Sequence, residues 1–367
     1  MTLLRTGSLT GLVLTGALAL TACGSDNTTA ASGSSAGSGG PTDCASGSVT
    51  GAGSSAQANA MAEWVKQYQQ KCPGATVNYQ SVGSGAGIAQ FTAGTVDFAG
   101  SDSALKDTEQ APADARCKTG KAINLPMVVG PVGVAFNLQG VDDLVLDGAT
   151  IAKIFSGQIT MWDDPAIKAL NPDAQLPGTA IQAFHRSDGS GTTENFTKYL
   201  AATAGPAWTF ESGKDWKALG GQGAKGNEGV SAAVKQTDGA IGYLELSFIE
   251  NSGLPAAKIA TGASEPVELT TENAGKAIEA AKLAGTGNDL KLSIDYATKA
   301  DGVYPIVLVT YEIVCESGTG PDKVALLKSF LDYTASEDGQ QAIAQVGYGA
   351  LPTSFIDKVR TSVKALG

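Results

Sequence analysis

Three short glycine- and serine-rich clusters, each placed between an apolar run and a helix-prone stretch, constrain this chain more than any other feature. Ser48-Val49-Thr50 runs into Gly51-Ala52-Gly53-Ser54-Ser55, Ala75 to Gln80 runs toward Gly83-Ser84-Gly85-Ala86-Gly87, and Thr95 to Ala99 ends in Gly100-Ser101-Asp102. Between the first two lies an expected helix from Ala56 to Lys71. There Met61, Trp64, Val65 and Tyr68 recur at helical spacing, and Pro73-Gly74 ends the run. A second, shorter helix carries Ile88 and Phe91 and stops at Gly94. Strand, helix, strand, helix, strand is the signature of a parallel sheet with right-handed crossovers. All three clusters then fall at the carboxyl ends of strands, where open α/β sheets bind ligands.

The rest of the body repeats the alternation. Val132–Asn137, Ile181–His185, Ala240–Leu246 and Tyr304–Val314 read as strands, and Gly229–Lys235, Thr271–Ala284, Asp322–Ala335 and Asp338–Val346 read as helices. The expected fold class is α/β and two-lobed, with two hinge crossovers near residues 128 and 303. Residues 44–128 and 304–367 form lobe 1, and 129–303 form lobe 2. Ligand is expected in the cleft between lobes, with hinge closure over it.

Arg186-Ser187-Asp188-Gly189-Ser190-Gly191-Thr192 adds chemistry to that frame. A helix-like run follows it, so its end offers unpaired N–H groups and a partial positive charge. The two glycines allow close backbone approach. Ser190 and Thr192 add hydroxyls, Arg186 adds a planar fork suited to an oxyanion, and Asp188 can hold that fork in place.

The first residues speak of location. Residues 1–22 resemble a secretory signal, with Arg5 as the only charge and a short apolar run from Leu9 to Leu20. Leu20-Thr21-Ala22-Cys23 resembles a bacterial lipobox, which makes Cys23 the expected lipidation site. Residues 23–43 have the composition of a flexible tether. The chain is then expected to sit on the extracytoplasmic face of the cell membrane, held by its N-terminal lipid. In that oxidising compartment the other four cysteines should pair. Cys44 and Cys72 precede adjacent parallel strands, which favours Cys44–Cys72 and leaves Cys117–Cys315. There is no CxxC pair and one histidine, so no metal site and no cofactor are expected. A formal charge of −11 without basic runs argues against nucleic acid as a partner. Any anion must be held by local dipoles.

Taken together, the words Thr50–Ser55, Val77-Asn78-Tyr79-Gln80 with Gly83-Ser84, Val96-Asp97-Phe98 with Ser101-Asp102, Thr160–Pro165, Arg186–Thr192, Gly239–Tyr243 and Leu351-Pro352 resemble the phosphate-binding proteins of bacterial high-affinity phosphate ABC transporters, the PstS type. The resemblance runs from about Val49 to Pro352. It implies a two-lobed, type II periplasmic-binding-protein-like fold, inorganic phosphate as ligand and transporter permease subunits as partners. It implies a site made of Ser54 or Ser55, the Ala56 N–H, Ser84, Asp102, Arg186, Ser190, Gly191 and Thr192, with Asp188 orienting Arg186. One departure stands out: the family commonly has Thr-Phe where this chain has Ser55-Ala56. Serine keeps the hydroxyl and alanine keeps the N–H, but that wall is less bulky.

An enzyme is disfavoured. No serine-nucleophile elbow in strand–turn–helix context and no Walker-A pattern occur, and the one possible histidine base is His185.

Overall fold

The computed structural model describes residues 43–367. The signal, the Cys23 lipidation site and all of the tether but Asp43 lie outside the described residues. In chain order the elements are β1 (Gly47–Gly53), α1 (Ala58–Lys71), β2 (Ala75–Ser81), α2 (Ser84–Thr92), β3 (Phe98–Ser101), α3 (Asp107–Arg116), β4 (Ala122–Asn137), β5 (Val145–Asp147), α4 (Gly148–Phe155), α5 (Pro165–Leu170), β6 (Gln182–Arg186), α6 (Gly191–Thr203), β7 (Gln222–Ala224), α7 (Gly226–Gln236), β8 (Ala240–Glu245), α8 (Leu246–Ser252), β9 (Lys258–Ala260), α9 (Thr271–Glu279), β10 (Lys282–Leu283), β11 (Leu292–Ser293), β12 (Val307–Cys315), α10 (Pro321–Thr334), α11 (Glu337–Ala344) and α12 (Thr353–Lys364).

The protein is α/β and two-lobed, organised on one mixed sheet of order β2-β1-β3-β12-β4-β8-β6-β7. The first two crossovers are as the glycine clusters require: β1 pairs in parallel with both β2 and β3. The return strand β12 runs antiparallel to β3 on one side and to β4 on the other.

β4 is the element that joins the halves. Among the strands, residues 122–131 pair with β12 and residues 132–137 with β8, while isolated bridges from Val129 to Gly349 and from Ala135 to Ala256 touch the far side of each stretch. Each stretch of β4 therefore has one strand neighbour and, apart from these bridges, no ladder on its other side. That explains how Pro126 and Pro131 are tolerated inside a sixteen-residue strand, since a missing N–H is harmless where no ladder neighbour needs it. Opposite Thr310 and Tyr311 the register slips by one residue, leaving Met127 as a bulge.

The core is continuous. Trp64 on α1 is fully buried and donates its indole N–H to Gly339 O at 2.7 Å, tying α1 to α11. Two disulfides are present, Cys44–Cys72 and Cys117–Cys315, with Cα separations of 5.4 and 5.3 Å. The first joins the lead-in to β1 to the lead-in to β2; the second joins the lead-in to β4 to the end of β12. Residues 288–292, before and within β11, bond to Asn124, Tyr311 and Glu316. That segment of the second crossover thus leans on the first half of the sheet.

Candidate functional site

The site is assembled from strand ends, and glycine geometry explains the sequence there. Gly53, the last residue of β1, has φ +148, and a Cβ on it would stand 2.0 Å from Gly100 O. Only glycine lets the ends of β1 and β3 run this close, and the Ser54 N–H bonds Gly100 O at 2.8 Å. This packing brings Ser54 against Asp102: the Ser54 hydroxyl donates to Asp102 Oδ1. Gly83, at φ +92, turns the chain after β2 so that Ser84 opens α2. Ser84 Oγ accepts from the Asp102 N–H at 3.2 Å and the Gly191 N–H at 3.1 Å.

On the opposite wall, β6 delivers Arg186, which is buried to 1 % exposure. Its Nε donates to Asp188 Oδ1 at 2.8 Å, and a second guanidinium nitrogen donates to Asp188 Oδ2. Asp188 also accepts from the Gly226 N–H at 3.0 Å. Burial pushes the Asp188 carboxyl up, but the Arg186 fork and charge and the backbone N–H outweigh it, and the group lies below the usual Asp range. Ser190 is the N-cap of α6, accepting from Thr193 N at 3.1 Å. Gly191 is the first residue of that helix. A Cβ there would lie 2.5 Å from Asp102 Cβ and 2.8 Å from Ser84 Oγ, so the two walls touch at this glycine.

Ser54, Ser55, Ala56, Ser84, Asp102, Arg186, Ser190, Gly191 and Thr192 are all buried, and they come together. Thr192 provides the decisive link. Arg186 donates to Thr192 Oγ1 at 3.4 Å, and that hydroxyl donates to Asp102 Oδ2 at 3.5 Å. The cation and the lone acceptor therefore share one hydroxyl. The adjacent serines have separate partners: Ser54 touches Asp102 and the Ala56 N–H at 3.0 Å, whereas Ser55 Oγ accepts from the backbone and side-chain N–H groups of Asn227 at 3.0 and 3.1 Å.

Among the described residues Asp102 has no ion-pair partner. Its donors are Ser54, Thr310 at 2.9 Å, Ser84 at 3.4 Å and Thr192. Burial raises its pKa above the usual Asp value, and the hydroxyls and Arg186 only partly offset that.

Sequence reasoning missed Thr310 on β12, Asn227 at the start of α7 and Asn195 on α6, which donates to Asp102 O at 2.7 Å and Gly191 O at 2.8 Å. One signal was available for Thr310: with Glu312 it breaks an otherwise apolar and aromatic buried run, Val307–Cys315. His185 points elsewhere. Its ring stacks on Trp216 at 4.8 Å and its Nδ1 meets Arg186 O at 2.9 Å. Burial lowers its pKa, so it adds no second cation.

The chain matches the family described as PBP superfamily domain over residues 30–338. It is 44 % identical to phosphate-binding protein PstS 3 of Mycobacterium tuberculosis, with 100 % of both chains covered. It is 42 % identical to PstS 2 of the same organism over 99 % of both. This chain belongs to the PstS family of phosphate-binding proteins. Among solved structures, a high-affinity periplasmic phosphate-binding protein crystallised with phosphate shares the fold at TM-score 0.70 and 24 % identity, covering 86 % of this chain and 93 % of its own.

Proposed function

We propose that the protein is a lipid-anchored receptor that closes over inorganic phosphate between its lobes and hands it to the permease of an ABC transporter. Residues 44–128 with 304–367 form one lobe and 129–303 the other, and β4 and β12 carry the hinge. The observation that carries the reading is the Thr192 hydroxyl shared by Arg186 and Asp102. It sets a full positive charge, a helix start and a lone acceptor around one small volume.

Hydrogen phosphate is a tetrahedral anion that keeps a proton. The Arg186 fork, the N–H groups of Ala56 and Gly191, and the hydroxyls of Ser54 or Ser55, Ser84, Ser190 and Thr192 donate to its oxygens. Asp102 accepts the ligand's own O–H. Sulfate lacks that proton at neutral pH and would face an unpaired buried carboxylate, and such a mismatch rejects an analogue by about 10⁴ to 10⁵. The anion is received and released unchanged, so the role is transport and not catalysis.

Calorimetry of the purified protein against phosphate and sulfate tests the reading. Phosphate is expected to bind one-to-one and sulfate to give no heat; equal binding of both would overturn the assignment. The anchor is tested separately: Cys23→Ala should shift the protein from the detergent phase to the aqueous phase, and an unchanged partition would remove the lipid from the account.

A further inference from the structure

A second carboxylate lies behind the first. Glu312 sits two residues beyond Thr310 on β12, so both side chains project from the same face of the sheet. Thr310 bonds Asp102, which places Glu312 in the layer beneath the anion site. It is fully buried, in register with Gly100 of β3 and Leu125 of β4. Neither of its oxygens has a hydrogen-bond partner among the described residues, and Gln57 Oε1 beside it is also unpartnered. A buried ionised carboxylate without well-formed donors is costly, and the Gln57 amide alongside relieves only part of that cost.

The groups bearing on Glu312 offer it no cation. Gln57 faces it from the lead-in to α1, Asp102 from the end of β3 and Tyr79 from β2. Beyond Asp102 stand Arg186 and a third buried carboxyl, Glu245 at the end of β8. Arg186 is already engaged by Asp188.

We propose that Glu312 is a specificity-determining residue that must carry its proton for the site to hold a doubly charged anion. The inference rests on the phosphate reading above. Burial pushes the Glu312 carboxyl up to about 8; the Gln57 amide beside it offsets part of that rise and the like charge of Asp102 adds to it, which leaves a neutral acid at neutral pH. When the dianion enters, an ionised Glu312 takes one proton from solvent, so binding above that range is coupled to proton uptake.

The test is calorimetric titration with inorganic phosphate, at constant ionic strength and in buffers of different ionisation heat, on the native protein and on Glu312→Gln. The amide mimics the neutral acid. The two proteins are expected to agree within about twofold near pH 6, with the native protein roughly tenfold weaker than the variant near pH 9. At the alkaline end the native protein should take up about one proton on binding and the variant none. An affinity ratio that stays constant over the whole range would overturn the proposal. Should the variant not fold, the native proton count decides alone, and no uptake at alkaline pH overturns it. Absence of phosphate binding by the native protein at every pH would instead break the receptor reading on which the proposal stands.

Discussion

Asp102, buried, and Asp188, half-buried, stand on opposite walls of the site, and their surroundings are opposite. Asp188 is gripped by the Arg186 fork and a backbone N–H, so its charge is neutralised and its task is to fix the plane of the guanidinium. Asp102 is met by four hydroxyls and keeps an unpaired charge in a dry place. One wall therefore supplies donors held rigid by a carboxylate; the other supplies an acceptor held rigid by donors. In the proposed site the sign of the potential is set locally, by one paired arginine and a helix start, which is how a chain of net charge −11 would hold an anion.

The comparison can be broken from either wall. Asp102→Asn should have the largest effect, because it turns an obligate acceptor into a group that can also donate. Sulfate exclusion should fall by orders of magnitude from its ceiling of about 10⁴ to 10⁵. Sulfate that stays fully excluded in a competition assay would show that the carboxylate is not the filter. Arg186→Ala removes a charge-assisted fork and leaves Asp188 unpaired. Phosphate affinity should drop well over tenfold, since such contacts contribute about 1.5–3 kcal/mol each. Arg186→Lys should recover only part, because an ammonium cannot satisfy both oxygens of Asp188 in one plane. An unchanged dissociation constant in the alanine variant would contradict the arrangement.

Smaller changes sharpen the contrast. Gly191→Ala places a methyl where Asp102 Cβ and Ser84 Oγ already stand, at 2.5 and 2.8 Å. Forcing the walls apart should cost about 1–3 kcal/mol, read as a lower Tm together with weaker binding. Thr310→Val removes one donor from Asp102 without changing side-chain shape, and about 1 kcal/mol of phosphate affinity should go with it. An intact affinity would mean that the remaining hydroxyls suffice. Acidification separates the walls by sign. The Asp102 pKa is raised, so it takes up a proton first as pH falls; the Asp188 pKa is lowered, so its contribution persists until pH falls through its folded value. Sulfate binding should emerge in mild acid while Arg186 is still held, and loss of all anion binding before any sulfate signal would contradict that order.

The parts legible in the sequence were those where local chemistry and global topology agree. The glycine clusters at the ends of β1, β2 and β3, and the Arg186–Thr192 segment, needed no distant partner to be read. Their local strain and hydroxyl content announce a strand end beside a helix start. Elements whose reason lies elsewhere were harder. The first ten residues of β4 were obscured by Pro126 and Pro131, which are acceptable only because that stretch has one ladder neighbour. Helix α3, which carries Pro112 inside it, has only Ala113 buried and so leaves no clear apolar period. Strand β3 starts at Phe98 and not at Thr95, because the residues before it form the turn after α2. Thr310, Asn227 and Asn195 were invisible for a different reason: each acts on a residue far away in sequence, and spacing carries no trace of that.

The Cys117–Cys315 bridge fastens the start of β4 to the end of β12, where Ala122 and Cys315 lie side by side. At their other ends these strands diverge, as β4 leaves for β8 at Val132. The pair is thus a fork gripped at the handle, and any swing of its tines must bend the stretch around Met127 and Thr310. Thr310 is also a hydroxyl that steadies Asp102. On the proposed reading, the pivot and the discriminating carboxylate are geared together, so loosening the grip on an anion and ceasing to tell one anion from another become a single mechanical event.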